Sequence, residues 1–207
     1  MAGYKTDEDL EDRVRVFEKG LGLEHQVRPD LMTIIAKIKH KNPAFQYARA
    51  PDHELPDAEA QWDSEKYVLR MRESVFVGMQ RGENRARMSV AHELSHYILR
   101  HDGLLNRALG AKTSEMVGRK LKYRESEARR TGPIILAPEH LIPEDATGAD
   151  IANTFGLSLE AATYRQGEVE GIRRRRKGEK RKLPDNVVEL LRDWKREGRH
   201  ITTELDD

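Results

Sequence analysis

Two histidines and a glutamate lie within one predicted helical turn in the segment Ser89–Arg100. His92, Glu93 and His96 form the pattern H-E-x-x-H. Residues four apart on a helix share a face, with Cβ atoms roughly 5–6 Å apart, so both imidazoles can reach one zinc ion. Glu93 lies beside the pair and can serve as the general base that activates the attacking water. This arrangement suits hydrolysis of a peptide bond.

The residues around the motif predict that it lies on an amphipathic helix. Apolar side chains recur at helical spacing and provide a face that can be buried: Val90, Leu94, Tyr97 and Ile98. Asp102 and Gly103 follow directly and predict the end of the helix, with Gly103 in the left-handed position. The alternative is a surface helix that carries two solvated histidines.

The composition narrows the kind of metal site that this chain can build. None of the 207 residues is cysteine, which excludes disulfides and cysteine-ligated zinc. Any zinc must use His, Glu or Asp, the ligands of open catalytic sites. The first ten residues are polar and acidic, and no apolar run approaches the roughly 20 residues that span a membrane. We therefore expect a cytoplasmic protein without a membrane partner.

Hydrophobic spacing predicts helices before and after the motif and a small sheet beside it, an α+β fold. Helices are expected over residues 7–18, 30–40 and 114–130, and a loop over 103–113. Residues 43–66 are expected to be irregular, with Trp62 as their buried anchor. Partial alternation predicts strands over 67–72 and 74–79, where an edge could pair with an extended substrate.

A catalytic zinc needs a third protein ligand, and the helix after the motif offers two candidates. Glu125 and Glu127 are both carboxylates on that helix. Residues two apart on a helix face in nearly opposite directions, so only one of them is expected to reach the metal. Periodicity leaves the choice open, because Lys and Arg interrupt the apolar stripe.

The segment H-E-L-S-H-Y, followed by Glu125–Arg130 and then Ile135–Pro138, resembles the ImmA/IrrE family of zinc metallopeptidases. The resemblance covers roughly residues 28–170. It implies a zincin-like domain with one Zn²⁺ per chain, and it implies that Glu127, directly before an alanine, joins His92 and His96 as third ligand. Family members cleave helix-turn-helix repressors of mobile elements or of stress responses, so the resemblance also implies such a repressor as the substrate.

The chain departs from the family pattern just after Glu127. Arg129, Thr131, Gly132 and Pro133 stand where the family has Asn, Phe and small residues. Pro133 cannot continue a helix without strain, so the helix is expected to end near Arg130. Donors to a transition-state oxyanion could come from Tyr123, His101 or His140, each of which is more commonly a structural residue.

Residues 149–165 have the pattern of a helix-turn-helix. Gly156 permits the turn and Ser158 is the expected N-cap of the second helix. Arg165 is a candidate nucleic-acid contact on this helix, yet several glutamates share it and oppose binding to phosphates. A helical pair that packs on the peptidase or docks its substrate is the favoured interpretation.

A basic run occupies residues 171–182. It could contact nucleic acid through Arg173, Arg174, Arg175, Arg176 and Lys177, although an exposed linker is favoured. Beyond the run, residues 184–195 predict an amphipathic helix on which Trp194 should dock onto the body or a partner.

The sequence therefore predicts three parts: a zincin-like domain over 1–142, a helix-turn-helix-like segment over 143–170, and a basic linker with a C-terminal helix over 171–207. The favoured function is a zinc-dependent endopeptidase in which Glu93 is catalytic and the substrate is a DNA-binding repressor. The alternative is a non-catalytic regulator that binds DNA or sequesters a partner. The oligomeric state is left open.

Overall fold

A computed structural model describes residues 5–101, 115–179 and 184–199. The chain divides into two compact units, residues 1–169 and residues 170–207. The first unit combines helices with a three-stranded sheet, which confirms the α+β prediction. The predicted helix end at Asp102–Gly103 and the predicted loop over 103–113 lie outside the described residues.

Two capped helices open the first unit. Helix α1 spans Asp7–Leu21, where Thr6 and Asp9 form a reciprocal capping box, and helix α2 spans Leu31–Lys41 behind the N-cap Asp30. Both confirm the predicted positions, and α1 continues for three residues beyond the expected end. Their apolar faces enter the main core.

The sheet contains three short strands, β1 Gln46–Ala50, β2 Ala60–Asp63 and β3 Val68–Arg72. Strand β3 is central, pairs parallel with β1 and pairs antiparallel with β2. Thus β1 and β2 lie in the segment predicted to be irregular. Trp62 on β2 is buried and stacks on Phe45 at 5.5 Å between ring centroids, which confirms its role as an anchor.

The prediction of a strand over residues 74–79 is wrong, because this segment lies in helix α3, Glu73–Gln80. Val75, Phe76 and Met79 are buried together, and their spacing of one and three residues fits one side of a helix. The backbone N–H of Ser74 donates to the Asp52 carboxylate at 3.1 Å, which satisfies a donor of the first turn.

Helix α4, Asn84–Ile98, carries the H-E-x-x-H motif. Its C-terminus closes on Arg100, which adopts a left-handed conformation with φ of 54°. The N–H of Arg100 donates to the Tyr97 carbonyl at 3.1 Å and the N–H of His101 donates to the His96 carbonyl at 2.9 Å. These two bonds form a Schellman motif, which turns the chain sharply and directs His101 back toward His96.

Helix α5, Glu115–Leu136, passes through Pro133, so the expected end near Arg130 is wrong. Proline costs the helix one backbone hydrogen bond, but the turn that follows it is held in the core by the buried residues Ile134, Ile135 and Leu136. Gly132 contacts α4 at the motif. A Cβ atom on Gly132 would lie 3.5 Å from the His92 backbone nitrogen, which is ordinary van der Waals contact. The two helices are therefore closely packed where the chemistry is expected.

Helices α6, Gly148–Phe155, and α7, Leu159–Arg176, have the predicted helix–turn–helix order. Gly156 is left-handed with φ of 65°, and the Ser158 side chain accepts the N–H of Ala161 at 3.2 Å, as predicted for the turn and the N-cap. The basic residues 173–176 continue α7, whereas a linker was predicted. Arginine is a good helix former and is favourable near a helix C-terminus. The favoured interpretation was a packed or substrate-docking pair, and docking of a substrate by these helices stays a prediction.

In the second unit, helix α8 spans Asp185–Arg196, as predicted. Trp194 is 37% exposed, and the Arg199 guanidinium lies 5.3 Å from its ring centroid. Docking of Trp194 onto the body or a partner stays a prediction. Among the described residues, no helix is both long and apolar enough to cross a membrane.

A buried ion pair connects α7 to α1 within the first unit. The Arg165 side chain is 1% exposed and pairs with Glu11, and its Nε donates to the Ala137 carbonyl at 2.9 Å. Glu11 also accepts the backbone N–H of Glu139 at 3.1 Å. Arg165 was a candidate nucleic-acid contact, but its guanidinium is enclosed by these partners and supports the fold.

Removing the guanidinium should strongly destabilise the first unit. Arg165→Met leaves the Glu11 carboxylate buried without its cation, and breaking such a pair costs about 3–5 kcal/mol. The matched control is Arg15→Met, since the exposed Arg15 lies 3.7 Å from the partly exposed Glu24 and surface pairs contribute about 0–1 kcal/mol. Urea unfolding followed by circular dichroism measures both; equal losses in the two variants would contradict this assignment.

A second buried carboxylate in α1 faces an imidazole rather than a guanidinium, since His140 Nε2 lies 3.9 Å from Glu18 Oε2. Glu18 is 5% exposed, and its Oε2 has no hydrogen-bond partner among the described residues. Burial, together with the negative charges of Glu11 and Glu24, raises the pKa of Glu18 to about 8. Glu18 is therefore protonated in the folded protein at neutral pH.

This raised pKa predicts a specific loss of stability with pH. The stabilising contribution of the bound proton is complete below the ordinary pKa of 4.5 and is lost as the pH rises through about 8. Glu18→Gln carries no such proton, so its free energy of unfolding should exceed that of the native chain increasingly across this window. Urea unfolding at several pH values measures the difference, with Glu65→Gln on the surface as control. A difference that stays constant with pH would contradict the prediction.

Candidate metal centre

The two motif histidines meet on the face of α4 that contacts α5. The Nε2 atoms of His92 and His96 are 3.3 Å apart. The His92 side chain is 26% exposed, whereas that of His96 is 1% exposed. The pair thus has one solvent-accessible imidazole and one at the bottom of the site.

Glu125 on α5 brings a carboxylate to this pair. Its Oε2 lies 3.5 Å from His92 Nε2, and its Oε1 lies 3.7 Å from His96 Nε2. Three ligand atoms around one tetrahedral zinc, each at about 2.0–2.2 Å, are separated by roughly 3.3–3.6 Å. The Nε2–Nε2 separation of 3.3 Å and the separation of 3.5 Å between His92 Nε2 and Glu125 Oε2 fall in this range, and the other oxygen, Oε1, lies just beyond it at 3.7 Å from His96 Nε2. The donor set, two imidazoles and a carboxylate, is one that catalytic zinc uses.

Glu127, the third ligand implied by the family resemblance, points elsewhere. Its Oε2 lies 2.6 Å from Lys5 Nζ and 3.0 Å from His101 Nε2. Glu125 and Glu127 therefore take opposite directions, as their spacing predicts, and the structure brings Glu125 to the two motif histidines. Both candidates were open from the residues alone.

Glu93 is oriented by the edge of the sheet. Its Oε2 accepts the backbone N–H of Trp62 at 2.7 Å, and its Oε1 lies 4.0 Å from His92 Nε2. Ligand-type atoms of Glu93 and the two histidines all lie within 4.8 Å of one another. Glu93 can therefore bind a metal-proximal water while its position is fixed by β2.

The electrostatic surroundings keep His96 neutral. Burial, together with the nearby His92 and His101, lowers the pKa of His96 to about 3, although the Glu125 carboxylate opposes this effect. A neutral imidazole is the form that can donate a lone pair to a metal ion. Burial also lowers the pKa of His101, although its hydrogen bond to Glu127 opposes that effect.

A cleft of about 1040 Å³ opens over these residues. It is lined by β2, by the motif helix, by Glu125 and Arg129 of α5, and by the start of α7. Strand β2 is an edge of the described sheet. Because the Glu59 carbonyl accepts the N–H of Arg72 on β3, alternation directs the peptide groups of Ala60 and Trp62 away from β3. The Trp62 N–H is bonded to Glu93, so an extended peptide would pair with this edge at Ala60.

The three candidate oxyanion donors occupy different places. Tyr123 is 58% exposed on α5. His101 is buried behind His96, with 2.8 Å between their Nδ1 atoms. His140 contacts the Glu24 carbonyl through Nε2 at 2.8 Å. The structure thus brings only His101 into contact with a motif residue, and on the side away from the cleft.

Two contacts of the site were missed from the sequence. The Trp62 N–H and the Lys5 ammonium both reach site carboxylates from segments distant in the chain. No sequence pattern indicates either contact. Every residue except proline has a backbone N–H, and a single lysine forms no periodic pattern that would place it at the site. The basic candidates, Arg173–Arg176 and Lys177, belong to the second unit, and their contact with nucleic acid stays a prediction.

The chain matches the family model for peptidase M78, described as the IrrE N-terminal-like domain, over residues 49–166. This match spans more than half of the chain and contains the motif, Glu125 and the cleft. The chain therefore belongs to this family of peptidases, which confirms the resemblance seen in the sequence. No curated protein matches the chain.

The geometry predicts which residues a metal needs. Glu125→Gln and His96→Ala each remove one of three donors, so both should weaken zinc binding by more than the roughly 10–100-fold typical of losing an outer partner. Titration calorimetry with zinc measures the affinity, and Glu65→Gln on the surface should bind like the native chain. Native-like binding by Glu125→Gln would contradict the assignment of Glu125.

Proposed function

We propose that this chain is a zinc-dependent endopeptidase that cleaves a specific protein substrate. The observation that carries the proposal is the matched set of donor separations among His92, His96 and Glu125, with Glu93 beside them. Membership of a peptidase family supports the reaction class independently.

His92, His96 and Glu125 would hold the zinc, and these three protein ligands leave a position for water or substrate. When bound, zinc would lower the pKa of water to about 7 and polarise the scissile carbonyl. The remaining chemistry belongs to residues of this chain.

Glu93 is the proposed general base. One carboxylate oxygen is fixed by the Trp62 N–H, and the other lies near His92 Nε2, where it can accept a proton from the attacking water. The same oxygen can then deliver that proton to the leaving amine. Because β2 holds the carboxylate, little reorganisation is needed during the reaction.

The proposed substrate is bound as an extended strand. The outward peptide groups of Ala60 on the edge of β2 line the cleft, within the same wall as the carboxylate of Glu93. Main-chain hydrogen bonds to this edge would orient the scissile bond, and pockets for alternate side chains would give specificity. This mode requires a flexible or locally unfolded segment in the substrate.

A helix-turn-helix repressor is the proposed substrate class. The support for it is the resemblance of the motif and of residues 125–138 to repressor-cleaving relatives.

The direct test of this mechanism is Glu93→Gln. The variant keeps all three proposed ligands, so zinc binding should match the native chain while peptide hydrolysis falls by roughly 10²–10⁴-fold, the usual contribution of a general base. Purified helix-turn-helix repressors and a proteome-derived peptide mixture serve as substrates, and mass spectrometry detects the new termini.

Glu65→Gln is the matched control, because Glu65 is an exposed carboxylate outside the cleft. It should retain both zinc and cleavage. Cleavage by Glu93→Gln at the native rate would refute the assigned base. A native chain that binds zinc and repressor but cleaves none of these substrates would instead favour the non-catalytic regulator.

A further inference from the structure

Behind the motif, four side chains form a continuous hydrogen-bonded row. His96 Nδ1 lies 2.8 Å from His101 Nδ1, His101 Nε2 lies 3.0 Å from Glu127 Oε2, and Lys5 Nζ lies 2.6 Å from the same oxygen. His96, His101 and Glu127 are buried, at 1%, 4% and 6% exposure. The row extends from the bottom of the candidate metal centre into the protein.

We propose that His101 and Glu127, anchored by Lys5, are positioning residues that fix the tautomer and ring orientation of the metal-binding His96. The proposal rests on the proposed function, since it assigns the metal to the Nε2 side of His96. It gives Glu127 a role other than that of a ligand.

The hydrogen bonds allow one consistent assignment of protons. If the Nε2 lone pair of His96 binds the metal, its Nδ1 must carry the proton and donate it to His101. His101 Nδ1 is then an acceptor, so its proton is on Nε2 and is donated to the Glu127 carboxylate. Each ring nitrogen in the row is thus either a donor or an acceptor, and each hydrogen bond has one of each.

The contacts of Glu127 fit this assignment. Its Oε2 lies 2.6 Å from Lys5 Nζ and 3.0 Å from His101 Nε2, so one carboxylate oxygen accepts from both partners. Outer hydrogen bonds of this kind orient a metal-binding histidine and increase its basicity.

The N-terminal segment that provides Lys5 is itself tied to α5. The Arg130 guanidinium donates to the Lys5 carbonyl at 3.1 Å, and its Nε donates to the Asp7 carboxylate at 2.9 Å. Arg130 is three residues after Glu127 and lies on the same side of the helix. The segment before α1 therefore holds Lys5 over Glu127, which explains how a residue far away in sequence completes the row.

The test compares zinc affinity and histidine tautomers in the full chain. His101→Phe and Glu127→Gln should each weaken zinc binding by about 10–100-fold, the range for outer partners of a metal ligand. The two-bond and three-bond ¹⁵N–¹H couplings of the imidazoles report tautomers directly. The zinc-loaded native chain should show the Nδ1–H form of His96 and the Nε2–H form of His101. Glu127→Gln should shift the His101 signals.

His140→Phe is the matched control, since it removes a half-buried histidine whose contacts are with Glu24 and Glu18. A general loss of stability would weaken zinc binding in this variant too, whereas the proposal predicts native affinity. Lys5→Met tests the anchor and should have a smaller effect of the same direction as Glu127→Gln.

The outcomes separate this proposal from the proposed function. If His101→Phe and Glu127→Gln both bind zinc with native affinity and keep the native tautomer of His96, the positioning role alone is overturned. A native chain that binds no zinc would overturn both proposals. Loss of zinc from Glu127→Gln as complete as from Glu125→Gln would overturn the positioning role by making Glu127 a ligand.

Discussion

The close packing of α5 on α4 is the constraint on which the site depends. Gly132 sits against the His92 backbone, with van der Waals room for little more than a methyl group. At this distance one face of α5 meets the motif histidines directly. The two carboxylates of α5 are two residues apart and therefore lie on opposite sides of His96. Glu125 lies in the cleft, and Glu127 lies in the interior.

His96 is the residue at which these two environments meet. Its Nε2 lies among the proposed ligands, and its Nδ1 lies against His101. The Schellman turn at Arg100 makes this possible, because it returns the chain so that His101 packs beneath the helix that it has just left. On the cleft side, the edge of β2 holds Glu93 through the backbone N–H of Trp62, which every substitution except proline retains. The proposed base is therefore positioned by the sheet while the proposed ligands are positioned by the helices.

The sequence predicted those features that local chemistry determines. The motif helix, the capped helices α1 and α2 and the turn at Gly156 follow from spacing, caps and glycine, and the structure has all of them. It could not decide between Glu125 and Glu127, because that choice depends on how α5 is rotated against α4. Polar and apolar residues partly alternate over 74–79, which suggests a strand. Burial of Phe76 and its neighbours in the core nevertheless selects a helix. Similarly, Pro133 breaks a helix in isolation, but core packing of the next turn maintains α5, and Arg165 is buried because Glu11 neutralises it.

The most direct test of the central claim is an anomalous diffraction measurement at the zinc absorption edge on crystals of the zinc-loaded chain. The account predicts one anomalous peak within bonding distance of His92 Nε2, His96 Nε2 and a Glu125 oxygen. In the same map, Glu127 should remain on His101 and Lys5. A peak bonded to Glu127, or a peak away from the two motif histidines, would contradict the assignment of Glu125 and with it the division of the two carboxylates between cleft and interior.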